Sequence, residues 1–133
     1  MSKILVIDDD PANRDILRAR LEQAGHEVTE APDGEEGLRC LEAAGLDLVL
    51  LDVMMPRVDG LQVCRRIKAN PKTKGIPVVM LTALGQQIDQ LRGFESGADE
   101  YLMKPWDSVK LLELADKWCR VSTSRKSDAT EKS

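Results

Sequence analysis

Residues 46–60 read Leu-Asp-Leu-Val-Leu-Leu-Asp-Val-Met-Met-Pro-Arg-Val-Asp-Gly. Four aliphatic side chains, Leu48 to Leu51, run without polar alternation into Asp52. A strand apolar on both faces is one buried on both faces, as in a parallel sheet covered by helices. A half-exposed strand would alternate instead. Three other runs end the same way: Ile4–Ile7 before Asp8 and Asp9, Val78–Leu81 before Thr82, and Tyr101–Met103 before Lys104. If the runs are parallel strands, these five polar side chains emerge at one edge of one sheet. In open α/β sheets the carboxyl edge is where ligands bind.

Working outward, short apolar runs alternate with helical patterns five times, which predicts βαβ units. The runs near 27–31 and 100–103 are mixed in polarity, as edge strands would be. Asp10-Pro11 reads as an N-cap with proline at the first helical position. Asp33-Gly34-Glu35-Glu36 is close to a capping box. Asp59-Gly60 and Asp107-Ser108 open two further helices, and Gly25, Gly45 and Gly97 sit where C-terminal caps belong. A polar-faced helix is expected at about 86–96. From Val121 the chain is polar or small, which predicts a domain over 1–120 and a disordered tail over 121–133.

The 133 residues suit one domain with one core. Apolar residues make up 42% and the net charge is −4, which gives no sign of a basic nucleic-acid surface. No apolar stretch reaches the length of a membrane span. The N-terminus leads directly into a strand without a signal peptide, so a cytoplasmic protein is expected. Cys40, Cys64 and Cys119 are odd in number and lack C-x-x-C spacing; each reads as a small apolar residue. His26 is the single histidine and reads as a loop residue before a strand, so no His-based metal site can be built.

The strand-end residues carry the chemistry. Adjacent carboxylates repel unless a cation neutralises them, and magnesium takes a few carboxylates with water and phosphate oxygens. A solvated acidic turn explains Asp10 as a helix cap but not Asp8 and Asp9 directly against a buried strand. Asp52 can act as a nucleophile and form an acyl phosphate, or simply cap the next turn. Thr82 could donate to a phosphoryl oxygen, although threonine is common at strand ends. Lys104, fixed by the following Pro105, could pair with a phosphate, although most lysines are solvated surface charges.

With ILVIDDD, LVLLDVMMPRVDG, PVVMLTA and GADEYLMKP in hand, the chain resembles the receiver domain of two-component response regulators over about residues 3–119. The resemblance implies a flavodoxin-like (βα)5 three-layer sandwich whose parallel five-stranded sheet has the order 2-1-3-4-5. It implies Asp8 and Asp9 as the acidic pair for Mg2+ or Mn2+, Asp52 as phospho-acceptor, Thr82 as switch hydroxyl and Lys104 as phosphoryl-binding lysine. The Met54 backbone carbonyl would add a metal ligand, and Tyr101 falls at the aromatic switch position, while also suiting an edge-strand core residue. The implied partner is a sensor histidine kinase or histidine phosphotransfer protein, which supplies the histidine. Phosphorylation would repack the face made by the fourth helix, fifth strand and fifth helix. That face would bind a protein target not named by the sequence, or a second copy of the chain. Trp118 reads as core and Trp106 as a loop anchor, with a partner surface as the alternative for both. Neither nucleic acid nor membrane is an expected direct partner.

The rivals fit less well. A magnesium-dependent aspartyl phosphatase would place Asp-x-Asp after the first strand and turn over phosphomonoesters. A flavin or dinucleotide site would want a Gly-rich loop where Asp9-Asp10-Pro11 stands. A phosphorylation-independent pseudo-receiver would not need a complete acceptor site. The expected protein therefore catalyses only its own phosphoryl transfer and a slow dephosphorylation. Met54 and Leu84, two residues beyond Asp52 and Thr82, are apolar and cannot orient a hydrolytic water. Polar substitutions at both should speed the decay of phospho-Asp52, followed by loss of label over time; an unchanged decay would refute that role.

Overall fold

The computed structural model describes residues 2–42, 45–53, 55, 60–83, 97–104 and 107–132, with backbone alone for Ala83, Lys104 and 124–132. Five parallel strands form one sheet: β1 (Lys3–Ile7), β2 (Glu27–Ala31), β3 (Leu48–Asp52), β4 (Val78–Ala83) and β5 (Glu100–Lys104). Their order is β2-β1-β3-β4-β5, the flavodoxin-like α/β arrangement expected. The mixed-polarity runs are the two edges, and the continuous ones occupy the centre. All five residues of β3 are buried, whereas β2 buries only Ala31 fully.

Helices cover both faces. Ile4, Val6, Leu48, Leu50, Val79, Leu81 and Leu102 pack with Leu17 and Leu21 of α1 (Pro11–Gln23) and with Leu111, Ala115 and Cys119 of the C-terminal helix (Ser108–Lys132). The alternate residues Leu5, Ile7, Val49, Leu51, Val78 and Met80 pack under α2 (Gly34–Cys40) and α3 (Gly60–Ala69). The period-two alternation of strand side chains thus feeds two apolar layers from the same runs. Each fully buried Leu or Ile contributes about 1.5–3 kcal/mol of transfer free energy. Gly37 lets α2 lie close on β1, since a Cβ there would meet Ile7 Cδ1 at 2.4 Å.

The caps follow the sequence. Asp10 accepts from the Ala12 amide at 2.9 Å, Asp33 from Glu36 at 2.8 Å and Asp107 from Lys110 at 2.6 Å. Gly25, just past α1, has φ +94°, a conformation that side chains with a Cβ resist. Cys64 and Cys119 are buried and Cys40 half-buried, and none of the three is in a disulfide; burial pushes the Cys40 thiol upward, with Glu36 adding to it.

The C-terminal helix is where sequence and structure part. Residues 121–133 read as a disordered tail, yet the helix continues through Lys132. No glycine or proline follows Pro105 to stop it, Ser122 is buried and the Thr123 hydroxyl donates to the Cys119 carbonyl at 3.0 Å. The helix expected at about 86–96, Asp59 and Trp106 lie outside the described residues. Trp118 is half-buried against the layer shared with α1, in line with the core reading, and its indole donates to Glu100 of β5.

Two long-range polar contacts hold the sheet's amino edge and flank. The Lys68 ammonium donates to Asp99 Oδ2 at 2.8 Å and to the Ile76 carbonyl at 2.8 Å. The same Asp99 oxygen accepts from the Val78 amide at 2.8 Å. His26, before β2, lies 3.2 Å from Asp116 of the C-terminal helix through Nε2. Asp99→Ala strands the Val78 N–H and removes the counter-ion of Lys68, which should cost about 1–3 kcal/mol. Urea denaturation should show that loss as a lower midpoint at unchanged slope.

Candidate functional site

The register of β1 and β3 pairs Ile7 with Leu51, so Asp8 and Asp52 follow side by side at the carboxyl edge. Both are buried. Asp9, next along, is exposed. One carboxylate oxygen from each of Asp8, Asp9 and Asp52 lies within 4.8 Å of the others. Such spacing lets three hard oxygen donors share one divalent cation. The bland reading of these acids as solvated turn residues does not explain why two of the three are buried together.

Backbone contacts hold the cluster from several sides. The Asp8 amide donates to the Ala31 carbonyl at 3.2 Å, and the Val53 amide to Leu81 at 3.1 Å. Asp8 Oδ1 accepts from the Asp10 amide at 2.9 Å, while Asp10 itself turns to cap α1. Asp10 is therefore a positioning residue for the turn rather than a member of the cluster.

Thr82 stands one residue beyond Leu81, which pairs with Asp52. It is 1% exposed, and among the described residues its hydroxyl oxygen has no hydrogen-bond partner. A buried hydroxyl left so costs free energy unless a ligand or water satisfies it. By strand alternation Thr82 shares a face with Met80, and Tyr101, paired with Met80 across β4 and β5, is half-buried against that same layer. Lys104 ends β5 opposite Ala83, which brings its backbone to the same edge; its side chain is outside the described set. Met54 and Leu84 also lie outside it.

Two residues that shape the site were not singled out for it by sequence. Arg14 of α1 donates to the Asp8 carbonyl at 2.7 Å and pairs with Glu30 of β2 at 3.5 Å. Its position four residues after Asp10 could have placed it over the strand end, but nothing in the pattern named its acceptor. Gly60 reads only as a helix opener. A Cβ there would sit 2.1 Å from the Asp52 carbonyl oxygen and 2.9 Å from Val53 Cα. The Gly60 amide also donates to the Val53 carbonyl at 3.0 Å. Only glycine lets α3 start so near the end of β3.

Residues 4–116 match the family model of the response regulator receiver domain. The chain belongs to that family. This receiver is 49% identical over 112 residues to the DNA-binding dual master transcriptional regulator RpaA of Synechocystis, covering 84% of this chain and 46% of that protein. It is 46% identical over 111 residues to the response regulator PleD of Caulobacter vibrioides, covering 84% of this chain and 24% of the other. The receiver thus spans half or less of the length of these curated relatives. The solved structure of the Vibrio cholerae chemotaxis protein CheY4 superposes with a TM-score of 0.83 at 30% identity, over 89% of this chain and 98% of that one. A receiver domain of a response regulator in two-component signalling is therefore what this chain contains. Among the described residues no helix is long and apolar enough to cross a membrane.

Gly60→Ala should displace the Asp52–Val53 backbone or α3, costing about 1–3 kcal/mol as overpacking does. Amide shifts confined to Val53 and the start of α3, with a reduced urea midpoint, are the expected signature.

Proposed function

We propose that this receiver is a phosphorylation-dependent switch, with residues 1–120 as its functional unit in the cytoplasm and Asp52 as its acceptor. The observation that carries the reading is the buried Asp52 carboxylate grouped with Asp8 and Asp9 at the edge where the buried Thr82 hydroxyl has no hydrogen-bond partner among the described residues. An Asp52 oxygen attacks the phosphorus of a phosphohistidine on a sensor kinase or phosphotransfer protein. The new O–P bond forms as the P–N bond breaks, and the imidazole leaves with the electron pair and is protonated. The donor histidine belongs to the partner, which accords with His26 lying against Asp116 instead.

Asp8, Asp9, Asp52 and the Met54 carbonyl would hold Mg2+ or Mn2+, whose charge offsets that of the phosphoryl oxygens. Thr82 donates its hydroxyl to a phosphoryl oxygen, which satisfies the buried group. Lys104 pairs with a second oxygen. Drawing Thr82 toward the phosphoryl group vacates space on the face it shares with Tyr101, and Tyr101 turns inward. The face built on β5 then repacks and presents itself to a protein target or a second copy. This is a two-state element biased by local charge. DNA binding is named for RpaA and is said of that protein; the receiver itself signals through protein contacts.

Incubation with Mg2+ and a small phosphodonor should add one phosphoryl group per chain, read by intact mass. Asp52→Asn or prior chelation of the metal should abolish it. Turnover of added phosphomonoesters would instead favour an aspartyl phosphatase. Thr82→Ala should keep phosphorylation but lose the phosphorylation-dependent change in Tyr101 fluorescence, monitored in a Trp106→Phe, Trp118→Phe background.

A further inference from the structure

At the opposite, amino edge of the sheet, a cavity of about 740 Å³ opens between α2 and α3. That volume falls in the range of about 300–1,000 Å³ typical of small-molecule sites. Its floor is apolar: Leu41, Leu46 and Ile67 are buried, and Leu38 and Ile76 are half-buried against the same layer. Its rim carries Arg66 from α3 and Lys72 from the segment after it, against one carboxylate, Glu42.

The rim is net positive. Residues 65–75 hold five basic side chains (Arg65, Arg66, Lys68, Lys72 and Lys74) and no acidic one, in a chain of net charge −4. Lys68 is engaged by Asp99. Neither Arg66 nor Lys72 makes an ion pair among the described residues, although acidic side chains outnumber basic ones in the sequence. An apolar floor under two unpaired cations matches a molecule with an apolar ring-sized body and one anionic group.

We propose that this cavity binds a small organic anion of that class, with the body against Leu38 and Ile76 over the buried Leu41, Leu46 and Ile67, and the anionic group between Arg66 and Lys72. The site is independent of Asp52, which lies at the other edge. A concavity of this volume favours a small molecule over a flat protein contact. Neither half of the ligand suffices: inorganic phosphate lacks the body, and a neutral arene lacks the charge.

The test titrates the 15N-labelled chain with 1-anilinonaphthalene-8-sulfonate, with inorganic phosphate and with uncharged N-phenyl-1-naphthylamine. The sulfonate should bind saturably and shift the amides of Leu38, Leu41, Leu46, Ile67 and Ile76. The other two should bind far more weakly. Arg66→Glu with Lys72→Glu should weaken the sulfonate by at least about tenfold, the scale of one lost charge-assisted contact. Arg66→Gln with Lys72→Gln serves if charge reversal disturbs the fold. Asp52→Asn should leave binding unchanged. Non-saturating binding, shifts mapping elsewhere, equal affinity for the neutral arene or for phosphate, or indifference to the folded double variant would each overturn the proposal.

Discussion

The structure turns on the placement of two like charges at the ends of neighbouring buried strands. Asp8 and Asp52 stand together because Ile7 pairs with Leu51, and that register is fixed by apolar side chains buried on both faces. A slip of one residue would send each strand's inner-layer side chains to the opposite layer and separate the carboxylates. The core therefore holds the acids in place and sustains the cost of their repulsion. Everything else at the edge is arranged around that juxtaposition, from the Arg14 grip on the Asp8 carbonyl to the glycine that lets α3 approach Asp52.

Polar contacts elsewhere finish what burial begins. Lys68 and Asp99 join α3, the loop after it and the entry to β5, all at the edge away from the carboxylates. Glu100 joins β5 to Lys117 and Trp118 of the C-terminal helix. Close-packed apolar layers select the stacking of the sandwich. Directional bonds between elements add to the specificity of that stacking.

The sheet was legible because its central runs are continuous and its edge runs are not, a contrast that burial imposes directly on composition. The caps at Asp10, Asp33 and Asp107 were legible because each bonds an amide two or three residues away. The acidic cluster was legible because carboxylates rarely abut buried strands without a reason. What sequence did not disclose depends on partners distant in the chain. Asp99 meets Lys68 across 31 residues and His26 meets Asp116 across 90, and no local pattern encodes either pair. Gly60 looked like a helix opener because the atom it accommodates, the Asp52 carbonyl oxygen, belongs to another element. The extended C-terminal helix was hidden by its polar composition, which resembles a tail unless the missing helix breakers are weighed.

That helix has a mechanical consequence. Glu100 ties it to β5 at Lys117 and Trp118, and its packing continues through the buried Cys119 and Ser122. Ser122 is the last buried residue among those described, and at about 1.5 Å per residue the helix runs about 15 Å further to Lys132. A tilt of about 10° at Ser122 would carry the far end about 3 Å by that same rise. A small rotation of the packed turns is thereby magnified along the helix.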